Sequence, residues 1–371
     1  MKKRIVLTVI LSLAWLFFAS LFYKTIMLML IALVWQSSIR ERLPERIRPY
    51  GIKIMWCCLV LCLWIAMPRY RIHTTDRVRL VYLDDEGNAK HAPFYHYLIN
   101  TFIPEEEVVN LGIKNVLLIK PIAKKYGIGG PIVKQAQDDF LHFKIHNFLR
   151  PYRRLGLENP LSGVYPQVFN QYFGTKDRAV YICDPKHQKS KYDYPLVVFC
   201  HGYMGNWQLY QGIWKDLDDC IVLSIGTEDL KGIFYKSNLE QIFEFYIPAL
   251  ERMGYHIDHK QIHLIGLSNG GTAVGAAMHS SYSKSFKSIT TISCSLRSLN
   301  SVPCQVNFVG GGKDGSSKGM KEQCKKLKKM GVDADIYFTD NENHFILVNE
   351  RRQIVNFLNS RFNSELVLRK K

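Results

Sequence analysis

The chain has 371 residues, with 49 Lys and Arg against 32 Asp and Glu, a formal net charge of +17 and a pI near 9.4. That is long enough for one large α/β domain and an appendage, and the positive balance suits nucleic acid or an anionic membrane surface. Of nine cysteines, Cys57, Cys58 and Cys62 lie inside an apolar block, and the other six are scattered with no metal-ligand spacing. Cys183, Cys200, Cys220, Cys294, Cys304 and Cys324 read as small buried hydrophobes, in keeping with a reducing compartment.

The N-terminal third favours the membrane. Ile5 to Tyr23 is apolar apart from small hydroxyl residues, apolarity resumes after Lys24 as far as Trp35, and a second block runs from Ile54 to Met67. A spanning helix needs about 20 such residues, so the pattern predicts two transmembrane helices, about 5–35 and 51–67, within an anchor of residues 1–67. Met1-Lys2-Lys3-Arg4 would also suit a signal peptide, but the run is too long and no small-x-small cleavage site follows. With two spans the N-terminus and the large domain share a side. Basic residues there, Lys2 to Arg4 and Arg69 to Arg79, outnumber those between the spans and favour the cytoplasm.

Residues 68–160 read as a membrane-proximal, mainly helical region. Arg77 to Tyr82 alternates polar and apolar residues before a turn at Asp84 to Asn88, and Pro104 with three glutamates has the look of a helix start. Val133 to Leu149 carries apolar residues at mostly helical spacing. Its aromatic and basic neighbours suit lipid head groups or a cover over a site, and packing on the main domain suits them equally.

From about Tyr165 strands alternate with helices, the mark of a doubly wound, mostly parallel sheet, here assigned to residues 161–371. Predicted strands are Ala179 to Cys183, Pro195 to Cys200, Ile221 to Ile225, the run into Leu267, Ser288 to Cys294, Gln305 to Val309 and Ala334 to Phe338. Predicted helices cover Asn238 to Met253, Thr272 to Tyr282, Lys318 to Met330 and Gln353 to Arg361. The lysines of the third read as a solvated face and then as a membrane-facing patch; no recognition motif accompanies them, so no nucleic-acid partner is expected.

One stretch organises the rest. His263-Leu264-Ile265-Gly266-Leu267-Ser268-Asn269-Gly270-Gly271 is an apolar strand, a tight Gly-x-Ser-x-Gly turn and the start of a helix rich in small residues. Ser268 sits at the tip, at a helix N-terminus where amides favour negative charge. A serine hydroxyl needs a base to take its proton and a carboxylate to orient that base. Asp314, in the glycine-rich turn after Val306 to Val309, and His344, after the last strand, supply them in the order Ser, Asp, His. Asp340 and Glu342 are alternatives for the acid, while His256, His259, His263 and His279 precede or abut the elbow. For the oxyanion, the backbone amides of Tyr203 (with Met204 as an alternative) and Asn269 are the expected donors.

Pro195 to Gly202, Gly266 to Gly271, Asp314 and His344 together resemble the α/β-hydrolase superfamily. The phrase Tyr194 to Gly202 is similar to its esterase, dienelactone-hydrolase and platelet-activating-factor-acetylhydrolase-like branches. The resemblance covers about residues 165–365 and implies a serine hydrolase with no metal or organic cofactor. Dienelactone hydrolases use a cysteine nucleophile, so Ser268 favours the esterase side. The interval from Cys294 to Pro303 is too short for the helical cap that many members insert there. The expectation is a membrane-anchored carboxylic ester hydrolase acting on a small-molecule or lipid-like ester, with membrane lipids as the other partner. Amide or thioester hydrolysis by the same triad, or an inactive interaction module at the membrane, are the alternatives.

Overall fold

In a computed structural model, the described residues are 2–17, 21–66, 77–91, 178–187, 192–203, 205–206, 208–227, 232–296 and 302–362. The helix predicted over Val133 to Leu149 and the helix start at Pro104 lie outside them, as does Met204.

Three helices come first: α1 (Lys2–Phe17), α2 (Leu21–Arg42) and α3 (Arg48–Ala66). Among the described residues no helix is long and apolar enough to cross a membrane, which corrects the two spans expected at 5–35 and 51–67. The long apolar block is divided rather than continuous. At 1.5 Å per residue α1 rises about 24 Å, short of a ~30 Å hydrocarbon core. Lys24 and the polar end Gln36 to Arg42 shorten the apolar part of α2, and Arg48 and Lys53 shorten that of α3. The first two helices pack side by side, with Arg4 Nη1 donating to Ser38 Oγ at 3.0 Å and Trp35 Nε1 to Thr8 Oγ1 at 2.6 Å.

Among the described residues a nine-stranded sheet follows, in the order β2-β1-β3-β5-β4-β6-β7-β8-β9. Its strands are β1 (Val78–Leu83), β2 (Ala89–Lys90), β3 (Arg178–Cys183), β4 (Tyr194–Cys200), β5 (Ile221–Ile225), β6 (Ile257–Leu267), β7 (Ser288–Ile292), β8 (Gln305–Gly311) and β9 (Ala334–Thr339). From β5 to β9 across the sheet every pairing is parallel, whereas β3 runs antiparallel to both β1 and β5. The continuous apolar runs of β4 and β5 are buried on both faces, as parallel strands between two helical layers must be.

Helices cover both faces. On one lie α5 (Lys236–Gln241, a π turn Ile242–Tyr246, then Ile247–Arg252), α6 (Gly271–Met278) and α7 (Ser317–Lys329), packed on Leu196, Val198 and Leu264. On the other lie α4 (Gln208–Trp214), α8 (Ile346–Asn349) and α9 (Arg351–Phe362), packed on Val197, Phe199 and Ile265. Alternate residues of each strand therefore feed two separate cores.

The boundary at residue 161 is also corrected: the sheet begins at Val78. All six residues of β1 pair with β3, from Val78 opposite Cys183 to Leu83 opposite Arg178. Val81 and Leu83 enter one core, Leu80 and Tyr82 the other. Residues 78–83 thus belong to the sheet domain rather than to a helical region beside it. Leu83→Ala should cost about 2–5 kcal/mol of stability, because the side chain is fully buried. Denaturant unfolding of the full chain measures it, and an unchanged midpoint would place β1 outside the cooperative unit.

Candidate active site

The site is assembled at the C-terminal ends of β6, β8 and β9. β6 stops at Leu267, and Ser268–Gly270 turns at once into α6. The turn is that tight because backbone meets backbone: a Cβ on Gly266 would lie 2.4 Å from the carbonyl oxygen of Gly270, and one on Gly270 2.2 Å from that of Cys200. Neither position admits a side chain. The same geometry forces Ser268 into the left-handed region, φ 52°, at a residue with a Cβ.

His344 reaches the hydroxyl. Its Nε2 lies 2.8 Å from Ser268 Oγ and its Nδ1 2.9 Å from Asp314 Oδ2. With the Nδ1 proton donated to the carboxylate, Nε2 presents a lone pair to the serine O–H. Asp314 is buried, whereas the imidazole side chain is 38% exposed and open to a reactant. Burial pushes the Asp314 carboxyl up, but hydrogen bonds from His344 and from the amide and hydroxyl of Ser316 outweigh it. The carboxyl is held below its usual value of 3.8.

The glycine-rich run before Asp314 has a physical role. A Cβ on Gly311 would lie 2.3 Å from the carbonyl oxygen of Glu342, and one on Gly312 2.4 Å from that of Asp340. The Lys313 amide donates to Glu342 O at 2.8 Å and the Gly312 amide to Thr339 O at 2.9 Å. The acid-bearing loop and the histidine-bearing loop are therefore joined main chain to main chain. The alternative acids are engaged elsewhere: Asp340 pairs with Lys321 and Glu342 accepts from Asn349 Nδ2. So are two alternative histidines, His263 with Ser288 Oγ inside the sheet and His259 with Glu251 on the surface.

The loop after β4 passes over Ser268. A Cβ on Gly202 would lie 3.0 Å from Ser268 Cβ and 3.0 Å from Leu267 O. Tyr203 follows with its side chain exposed, and Asn269 is the residue next to Ser268 in the turn. Sequence reasoning overlooked His201, which braces this loop. It is buried, its Nδ1 lies 2.7 Å from Gly202 O, and its Nε2 accepts from the Thr227 amide at 3.2 Å. Because Nε2 is an acceptor, the ring proton sits on Nδ1 and points to the carbonyl. The His-Gly pair directly after the strand was the available signal.

A strand, a tight turn bearing Ser268 and a helix, with Asp314 and then His344 following later strands, make up the order of elements expected from the sequence. No family model and no curated protein matches the chain. Among solved structures it is similar to a thermostable esterase, with 16% identity over 50% of this chain and 60% of that one at a TM-score of 0.41. It is likewise similar to fungal esterases from Rhizomucor miehei (12% identity, 51% and 80% covered, TM-score 0.42). An esterase of Pyrobaculum calidifontis gives 15% identity, with 52% and 83% covered and a TM-score of 0.40.

The lowered carboxyl makes Asp314 a source of pH-dependent stability. Its contribution is complete above the unfolded value and disappears as pH falls from 3.8 through the lower folded value. Asp314→Asn should be less stable than the parent at pH 6, with the gap closing on acidification below about 4. Unfolding midpoints of the two proteins against pH check this; a gap that stays constant would mean the carboxylate gains nothing from its partners.

Proposed function

We propose that the protein is a carboxylic ester hydrolase in which Ser268 is the nucleophile, His344 the general base and acid, and Asp314 the group that orients the histidine. The observation that carries this reading is the continuous relay from Asp314 Oδ2 through both imidazole nitrogens to Ser268 Oγ, with 2.9 and 2.8 Å links. Oγ attacks the ester carbonyl carbon while His344 Nε2 takes its proton. The oxygen that gains charge is received by the backbone amides of Tyr203 and Asn269. As the tetrahedral species collapses, the C–O bond to the alcohol breaks and the alcohol leaves with the proton held on Nε2. Water then repeats the sequence on the acyl-enzyme, giving up a proton to Nε2 and releasing the acid. Asp314 stays ionised throughout and supports the imidazolium that forms twice per turnover.

Ser268→Ala should reduce kcat on a small ester by about 10⁴-fold or more. A fluorophosphonate probe should label the parent on Ser268 alone. Folded parent protein that takes no label overturns the reading. An active, labelled enzyme whose biological role survives Ser268→Ala would mean that role lies in interaction rather than turnover.

The same proposal places the enzyme on the cytoplasmic leaflet of a membrane, with α1 to α3 lying against lipid. Support comes from the apolar side chains that α1 turns outward, among them Val6, Val9, Ile10, Leu13 and Leu16, each more than half exposed. Covering one such side chain with an apolar medium is worth about 1.5–3 kcal/mol. The charges at the ends of these helices, Lys2 to Arg4 and Arg40 with Arg42, suit anionic head groups. The full chain should co-sediment with vesicles containing phosphatidylserine, and Val9→Asp with Leu13→Asp should release most of it. Parent protein that stays in the supernatant would remove the membrane from the account.

A further inference from the structure

Among the described residues only two with a side chain adopt a left-handed backbone, Ser268 at φ 52° and Ser293 at φ 53°. The first is the nucleophile turn. The second is its neighbour across the sheet, since each serine directly follows one member of the pair Leu267 opposite Ile292 on β6 and β7. Such a conformation crowds a Cβ and costs nothing at glycine, so a serine there has to be explained by its hydroxyl.

Ser293 is only 3% exposed, so solvent does not account for it. Its amide donates to Val309 O at 2.9 Å, carrying the β7–β8 ladder one residue past Ile292. Its hydroxyl donates to the backbone carbonyl of His344 at 2.9 Å. That carbonyl belongs to the residue whose ring bridges Asp314 and Ser268. Other bonds hold the loop on either side of it: Lys313 amide to Glu342 O, Phe345 amide to Asn343 Oδ1, and Ile346 amide to Asn343 O.

We propose that Ser293 is a positioning residue of this site, its hydroxyl fixing the His344 peptide plane and so the aim of the imidazole. The inference rests on the hydrolase reading and adds a residue to it. The strand between those bearing the nucleophile and the acid thereby supplies the stop against which the base is set. The left-handed backbone is what turns Oγ out of the strand and toward the histidine loop. Displacing a reacting group by about 1 Å costs on the order of 10²-fold, so partial loss of this stop should cost about tenfold or more.

The test uses the full chain with Ser293→Gly and Ser293→Ala. Gly removes the hydroxyl and relieves the backbone; Ala removes the hydroxyl alone. The expected result is a Tm for the Gly variant at or above that of the parent, with kcat on a p-nitrophenyl ester lowered about tenfold or more and KM within about twofold. Ala should show the same loss of kcat at a lower Tm. A Gly variant that keeps kcat within about twofold of the parent overturns the proposal, as does a loss of kcat that merely follows the folded fraction in both variants. The low-field proton resonance of His344 Nδ1–H, measured without substrate, should be sharp in the parent and broadened or shifted in both variants. An unchanged resonance also overturns the proposal. A parent that shows the resonance but hydrolyses no ester would end the hydrolase reading while leaving this assignment to stand or fall on the spectra.

Discussion

The close approach of main chain to main chain around the Ser268 turn is the constraint on which the rest depends. β6, the turn and α6 touch through Gly266 and Gly270, while β4 presses on the same turn through the carbonyl of Cys200. Nothing flexible lies between these elements to absorb a displacement. Ser268 is therefore held with a left-handed backbone by the three segments around its turn, β6, α6 and β4. A conformation that would relax in an isolated peptide is kept by the packing of a whole domain.

The same principle recurs at the histidine. Gly311 and Gly312 bring the acid loop against the carbonyls of Glu342 and Asp340. Two loops that would otherwise vary independently become one unit. Asp314 and His344, 30 residues apart in the chain, meet because the loops that carry them are bonded main chain to main chain, Lys313 to Glu342 and Gly312 to Thr339. Ser293 secures that unit to β7, and His201 braces the loop that passes over Ser268. The side chains proposed to react are thus few, and the groups that hold them come from the strands around the elbow.

Much of this was legible in the residues and some was not, for physical reasons. The parallel strands announced themselves as unbroken apolar runs because both faces are covered, and the order of Ser268, Asp314 and His344 was readable because each follows a strand. β1 was misassigned although its alternation was visible, since its partner β3 lies about 100 residues on and nothing local marks a distant pairing. In the N-terminal block, apolar composition carried no sign of where a helix would end, so one long span was expected where two shorter helices stand. Ser293 had no signal at all. Left-handed backbone is ordinarily betrayed by glycine or asparagine, and a serine in Ile292-Ser293-Cys294 reads as the tail of a strand.

The antiparallel pairing of β1 with β3 fixes where two distant parts of the chain meet. Leu83 and Arg178 face each other at the end of that pairing, although they stand 95 positions apart in sequence. In sheet order three strands, β3, β5 and β4, stand between β1 and β6, whose end carries the Ser268 turn. Loss of the β1 edge would therefore be felt first as stability, and at Ser268 only through three intervening strands.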